Sequence, residues 1–279
     1  MLISNDIDVH SLPWTQLNIP FDVVEMVGPE SLEFLHRITS NDLSTLPDGT
    51  IQHTLLVSDK GRIIDTAWVI NRNNTILLVL SKGMAVEVMA WLNKYIIMED
   101  IQLNNVSDRF TITIHSDSNA PLYRTQFFGI PVSFELHEST IDKLHEDSRL
   151  YECWRIENGI PASRHEMVQD YNPLELNLWN WISFTKGCYI GQEVIARLDT
   201  YNKIQRVLVL ISSHQKLDEQ QIITDQSGVD VGKITSVFHQ ETRSIGLALL
   251  RVQSAVSGTT LNVKGNDFLI HVDKVFRKQ

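Results

Sequence analysis

Cysteine is scarce: the 279-residue chain holds two, Cys153 and Cys188. Two cannot build a disulfide framework, and neither sits among the three or four closely spaced Cys/His ligands that a zinc site needs. A reducing compartment fits that usage. Long apolar runs are missing as well, and no stretch approaches the roughly 18–20 residues of a helical membrane span. Residues 1–13 carry Asp6 and Asp8 and no basic run ahead of an apolar one, so they read as neither a secretory signal nor an Arg-rich transit peptide. A soluble, cytoplasmic protein without membrane contact is the expectation. Positive charge is in deficit, 24 basic against 34 acidic residues for a net of −10, which argues against bulk nucleic-acid binding. What is present is ordinarily globular, 43% hydrophobic and 21% charged, and long enough for two domains.

Hydrophobic periodicity lays out an α+β front region. Phe21–Val27 reads as a strand, Gly28-Pro29-Glu30 as a turn, and 31–38 as a helix with Leu32, Leu35 and His36 at helical spacing. Residues 52–58, 63–70 and 75–80 read as an antiparallel meander turning at Asp59-Lys60-Gly61-Arg62 and Asn73-Asn74. Met84, Val88, Trp91, Leu92 and Tyr95 predict an amphipathic helix of about four turns over 83–97, covering one face of that sheet. Strands follow at 101–106 and 110–115, a short polar helix at 139–147 and a strand at 151–158; 121–131 is turn-rich and ambiguous. Beyond Asn202 the runs 204–212, 231–239, 244–251 and 268–276 are β-rich and separated by turn residues, which predicts a small barrel. Charge marks the same boundary: 203–279 nets +3 and 1–202 nets −13. Two modules, 1–202 and 203–279, are the expectation.

The segment Lys186-Gly187-Cys188-Tyr189-Ile190-Gly191-Gln192-Glu193 is the densest in chemistry. Its two glycines imply positive φ or close backbone approach, and Val194, Ile195 and Leu198 place a helix start near Gly191. Cys188 then precedes a helix N-terminus and lies two residues from Lys186, both of which favour a thiolate; the alternative is a small buried core cysteine. None of the ten histidines can be placed beside Cys188 as a general base, so cysteine hydrolysis is disfavoured.

The stretch KGCYIGQEVIAR at 186–197 resembles the signature of the YgfZ-type folate-binding proteins, relatives of the aminomethyltransferase (T protein) of the glycine cleavage system. The likeness extends to 173–178 with Ile182-Ser183-Phe184, to 155–161, and to 27–30, Phe34-Leu35 and Thr39-Ser40-Asn41-Asp42. The resemblance implies a T-protein-like module of mainly antiparallel sheets and covering helices that binds tetrahydrofolate, followed by a small C-terminal β-barrel. It implies a role in assembling or repairing iron-sulfur clusters, including those of tRNA-modifying enzymes, with assembly machinery or client enzymes as partners. Cys188 becomes the functional thiol.

For folate, the resemblance places Phe21 and Tyr151 as aromatic contacts, Glu157 as the carboxylate for the pterin donors, and Arg155, Lys186 and Arg197 as cations for the glutamate tail. Core packing is the competing reading of each aromatic. The T-protein pattern of two adjacent acids after a glycine turn is reduced here to Asp65 followed by Thr66, which weakens the alternative of an aminomethyltransferase using Asp65. An RNA-binding use of the barrel finds only the small +3 in its favour.

Overall fold

Apolar alternation becomes strand from Gln16 onward. The computed structural model describes residues 16–73, 75–115, 123–138, 148–201 and 203–278. In chain order the elements are β1 (Gln16–Asn18), β2 (Phe21–Val27), α1 (Ser31–Ile38), β3 (Ile51–Val57), β4 (Ile63–Arg72), β5 (Thr75–Ser81), α2 (Ala85–Asn93), β6 (Gln102–Asn105) and β7 (Phe110–His115). There follow β8 (Tyr123–Phe127), β9 (Ile130–Glu138), α3 (Ser148–Glu157) and α4 (Gln192–Thr200). The chain ends in β10 (Arg206–Ser213), β11 (Ile222–Thr224), β12 (Asp230–His239), β13 (Ser244–Arg251), β14 (Thr260–Val263) and β15 (Leu269–Val275).

The chain divides into two compact units. One comprises Met1–Leu56, Asp65–Ser148 and Thr185–Gly187; the other comprises Val57–Ile64, Arg149–Phe184 and Cys188–Gln279. In the first, a five-stranded sheet runs in the order β3-β4-β5-β2-β6 and a four-stranded sheet in the order β1-β7-β9-β8. The pairs β4–β5, β2–β5, β7–β9 and β8–β9 are antiparallel. Aromatic rings fill the space between these sheets. Trp68 stacks on Phe127 at 4.9 Å and 3°, Phe134 meets Trp68 edge-on at 5.3 Å, and Phe21 leans on Trp68 at 5.5 Å. Trp68, Phe127 and Phe134 are buried and Phe21 is half-buried at the margin. Such ring pairs add about 0.5–1.5 kcal/mol each beyond their burial.

The second unit contains a closed barrel in the order β10-β13-β12-β11-β14-β15. Val207, Val209, Ile211, Ile234, Ala248, Leu250, Ile270 and Val272 fill it. The unit reaches back from the barrel to Arg149, and the Pro173–Leu178 stretch shows how. Glu175 is buried, its carboxylate accepts the N–H groups of Arg206 and Asn172 at 3.2 Å, and its carbonyl accepts that of Leu208 at 3.1 Å.

Three expectations need correction. Residues 148–157 are helix α3, not a strand. α2 spans nine residues rather than about fourteen; beyond Asn93 the Lys94 and Tyr95 N–H groups donate to Trp91 and Leu92 three residues back, at 3.2 and 2.9 Å. The ambiguous stretch holds β8 and the start of β9. The helix expected at 139–147 lies outside the described residues.

Candidate functional site

The predicted site residues fall in both units. In the first unit, Lys186 is buried and its ammonium donates to the carbonyls of His36, Thr39 (2.8 Å) and Asn41 (2.9 Å). The His36 carbonyl lies in the last turn of α1, where a cation complements the exposed carbonyls and the macrodipole. The acceptor turn is itself tied down: the Thr39 hydroxyl donates to Leu35 O at 2.8 Å, and the Asn41 side chain donates to His53 O at 2.8 Å. Two separate stretches that carried the resemblance, residues 39–42 and Lys186, thus meet. Burial pushes the Lys186 ammonium down to about 8, and burial followed by the Lys186 charge lowers His36. Lys186 is committed to these carbonyls rather than presented as a cation for a ligand.

In the second unit Cys188 is exposed, which removes the buried-core reading, while Tyr189 beside it is buried. The helix starts where expected, with Gly191 capping α4 at φ 77°. A Cβ at Gly191 would lie 2.4 Å from the Ser58 carbonyl oxygen and 3.0 Å from Gly61 Cα. Gly61, at φ 64°, faces Val194 and Ile195 of α4, where its own Cβ would stand 3.2 Å from both side chains. The turn between β3 and β4 therefore lies backbone to backbone with the start of α4. Only glycine allows that approach. Arg62 extends this contact by donating to the Asp170 carbonyl at 3.0 Å.

Tyr151, Arg155 and Glu157 sit together on α3. Arg155 is 1% exposed. Its guanidinium contacts Glu152 at 2.7–2.9 Å, Glu166 at 3.6 Å and the Ser236 hydroxyl at 3.0 Å. Ser236 in turn donates to Glu166 at 2.6 Å. These donors are spent inside the unit, tying α3 to β12. Burial raises the Tyr151 phenol well above its usual range. Burial and the nearby Glu157 raise the Cys153 thiol, so the second cysteine is held as a thiol. Arg197 is the exposed member of the three cations and pairs with Glu193 one helical turn away at 2.6 Å.

Asp65, in the first unit, is fully buried; its two oxygens accept the Ser81 N–H at 3.0 Å and hydroxyl at 2.6 Å. Burial pushes its carboxyl up to about 7 against the pull of the Ser81 bonds. An unfolded aspartate releases its proton near about pH 3.9. Between those values the native state binds more protons than the unfolded one, so this group makes stability fall as pH rises through the window. Asp65→Asn is expected to flatten that slope, compared by urea midpoints at pH 5 and pH 8. Unchanged slopes in wild type and variant would contradict it.

The sequence reading missed the partners rather than the residues. Glu166, Ser236 and the Ser58 carbonyl carry no local signature, whereas Gly61, in a turn already recognised, was a usable sign of close approach.

Two stretches of the chain match known families. Residues 20–115 match the GCVT N-terminal domain, and residues 205–275 match the CAF17 C-terminal beta-barrel domain. The aminomethyltransferase T of Bartonella henselae superposes with a TM-score of 0.76 over 93% of this chain and 84% of its own, at 18% identity. The chain therefore has a GCVT-like α+β fold with a closed C-terminal barrel.

A chloroplastic protein of Arabidopsis thaliana, named as a transferase, is 29% identical over 87% of this chain and 66% of its own length. An iron-sulfur cluster assembly factor IBA57 homolog of Dictyostelium discoideum is 24% identical over 76% of this chain and 65% of its own. The tRNA-modifying protein YgfZ of Colwellia psychrerythraea is 22% identical over 85% and 84%. The chain spans just under two thirds of the first two. The chain is thus similar both to aminomethyltransferases and to the YgfZ and IBA57 proteins.

Proposed function

We propose that this chain is a tetrahydrofolate-binding accessory protein for the assembly or repair of iron-sulfur clusters, including those of tRNA-modifying enzymes, with Cys188 as its working thiol. The observation that carries the reading is an exposed cysteine just ahead of a fixed helix start, in a sequence whose preceding lysine is equally fixed. The names of the IBA57 and YgfZ relatives support the same role. A soft thiolate suits iron or sulfane sulfur, and one thiol cannot hold a four-cysteine cluster site. Ligation is then transient or shared with a partner, either the assembly machinery or a client enzyme. No helix among the described residues is long and apolar enough to cross a membrane.

For folate, the reading takes half-buried Phe21, backed by the buried Trp68 and Phe127, as the ring on which a flat pterin packs. Lys186 and Arg155 do not fit as tail cations, because both are spent on internal acceptors. Tetrahydrofolate titration followed by tryptophan fluorescence is expected to quench the wild type and to be weakened in Phe21→Ala; an unresponsive wild type would remove the folate part of the proposal. Cys188→Ala is expected to abolish rescue of iron-sulfur enzyme activity while leaving folding and folate affinity intact. Full rescue by the alanine variant would exclude the thiol role.

One observation favours a second reading, aminomethyl transfer with Asp65 as the proton-handling group: its carboxyl is held at about 7, where a proton exchanges near neutrality. Turnover of 5,10-methylenetetrahydrofolate that Asp65→Asn removes would establish it. Binding without turnover would favour the first.

A further inference from the structure

The barrel carries two like charges face to face. Arg206 of β10 is the register partner of Arg251 of β13. Cations directly opposite on one face of an antiparallel pair repel and weaken it. Lys233 of β12 stands opposite Leu249, two residues from Arg251, so the register puts all three cations on the outer face, while Val207, Ile234, Ala248 and Leu250 point inward.

Two adjoining hollows open there, of about 360 and about 410 Å³; the first is lined by all three cations and the second by Arg206 and Arg251. Of the three, the carboxylates nearby engage Arg206 alone. Asp230 is taken by Lys264 at 2.9 and 3.0 Å. Glu175 pairs with Arg206 at 4.0 Å while also accepting backbone N–H groups. Among the described residues, neither Arg251 nor Lys233 has an ion-pair partner, and Asp170 is the one uncommitted acid lining the first hollow. Buried Tyr171 underlies the Arg206 guanidinium at 5.8 Å, fixing its position.

A repulsive pair in which Arg251 is left without a carboxylate trades stability for a binding role. Guanidinium forks take phosphate oxygens in pairs, and two hollows sharing the same two arginines suit two linked anionic groups. We propose that this face of the barrel binds a phosphorylated small molecule of the diphosphate class. The site is independent of the folate and thiol assignments.

The test is calorimetric titration of the full chain with inorganic pyrophosphate at low salt. Wild type is expected to bind one equivalent, Arg251→Gln to weaken binding about tenfold or more, and exposed Lys216→Gln to change it little. Pyrophosphate is expected to raise the melting temperature of wild type and not of Arg251→Gln, whose ligand-free form melts no lower than wild type because the repulsion is gone. No pyrophosphate binding, or equal weakening by Lys216→Gln, would overturn the proposal. So would a short single-stranded RNA that binds through Arg251 more tightly than pyrophosphate, with a steep salt dependence.

Discussion

Arg155→Ala is expected to destabilise the protein by about 3–5 kcal/mol, the range for removing one partner of a buried ion pair. The reason is what it leaves behind. Glu166 is 0% exposed, and without the guanidinium its charge is held by the Ala162 N–H at 3.0 Å and the Ser236 hydroxyl at 2.6 Å. Glu152, which is partly exposed, can turn to solvent; Glu166 cannot. Adding Glu166→Gln to Arg155→Ala is therefore expected to recover a substantial part of the loss. Arg155→Lys is not a rescue, since an ammonium cannot reach Glu152, Glu166 and Ser236 in the fork geometry of a guanidinium. Urea unfolding of the four proteins checks this. A loss under about 1 kcal/mol for Arg155→Ala, the range of an exposed pair, would mean that water reaches the network.

Gly191→Ala and Gly187→Ala are expected to behave oppositely although they lie in one signature. At Gly191 an added methyl meets the Ser58 carbonyl at 2.4 Å, and the residue must also hold φ 77°. The left-handed backbone costs roughly 1–2 kcal/mol and relief of the overlap costs about 1–3 kcal/mol more. At Gly187 a Cβ meets nothing within 4 Å and φ is not positive, so a change within about 0.5 kcal/mol is expected. Hydrogen exchange gives the local readout. Gly61 N–H donates to Ser58 O at 2.9 Å and Ser58 N–H to Arg62 O at 2.8 Å, and both amides are expected to lose protection in Gly191→Ala alone. Similar melting curves for the two variants would refute the backbone seam.

The same residues show what a sequence discloses and what it conceals. Strands β2 to β5 and the main barrel strands were legible because alternation and turn chemistry are local properties. Helix α3 was not: Tyr151-Glu152-Cys153-Trp154-Arg155-Ile156 alternates well enough to pass for a strand. What makes it helical is an arginine turned inward toward Glu166 and Ser236, the latter 81 residues away. The glycine at 191 announced a close approach without naming its partner. Lys186 misled for a related reason: its acceptors are main-chain carbonyls, which every residue carries and which therefore leave no trace in composition or spacing.

The division of the chain bears on its synthesis. The path leaves the first unit after Leu56, returns at Asp65, leaves again after Ser148 and comes back for Thr185–Gly187. A ribosome that has released the first 150 residues has thus delivered both sheets of that unit but not the ammonium that quiets the carbonyls of His36, Thr39 and Asn41. Those carbonyls must wait in water until residue 186 emerges. A fragment cut at the charge boundary near 202 would keep that lysine yet deprive Glu175 of the Arg206 and Leu208 amides it holds. The molecule is threaded in such a way that the first unit is complete only at residue 187, and the second only once the barrel has followed.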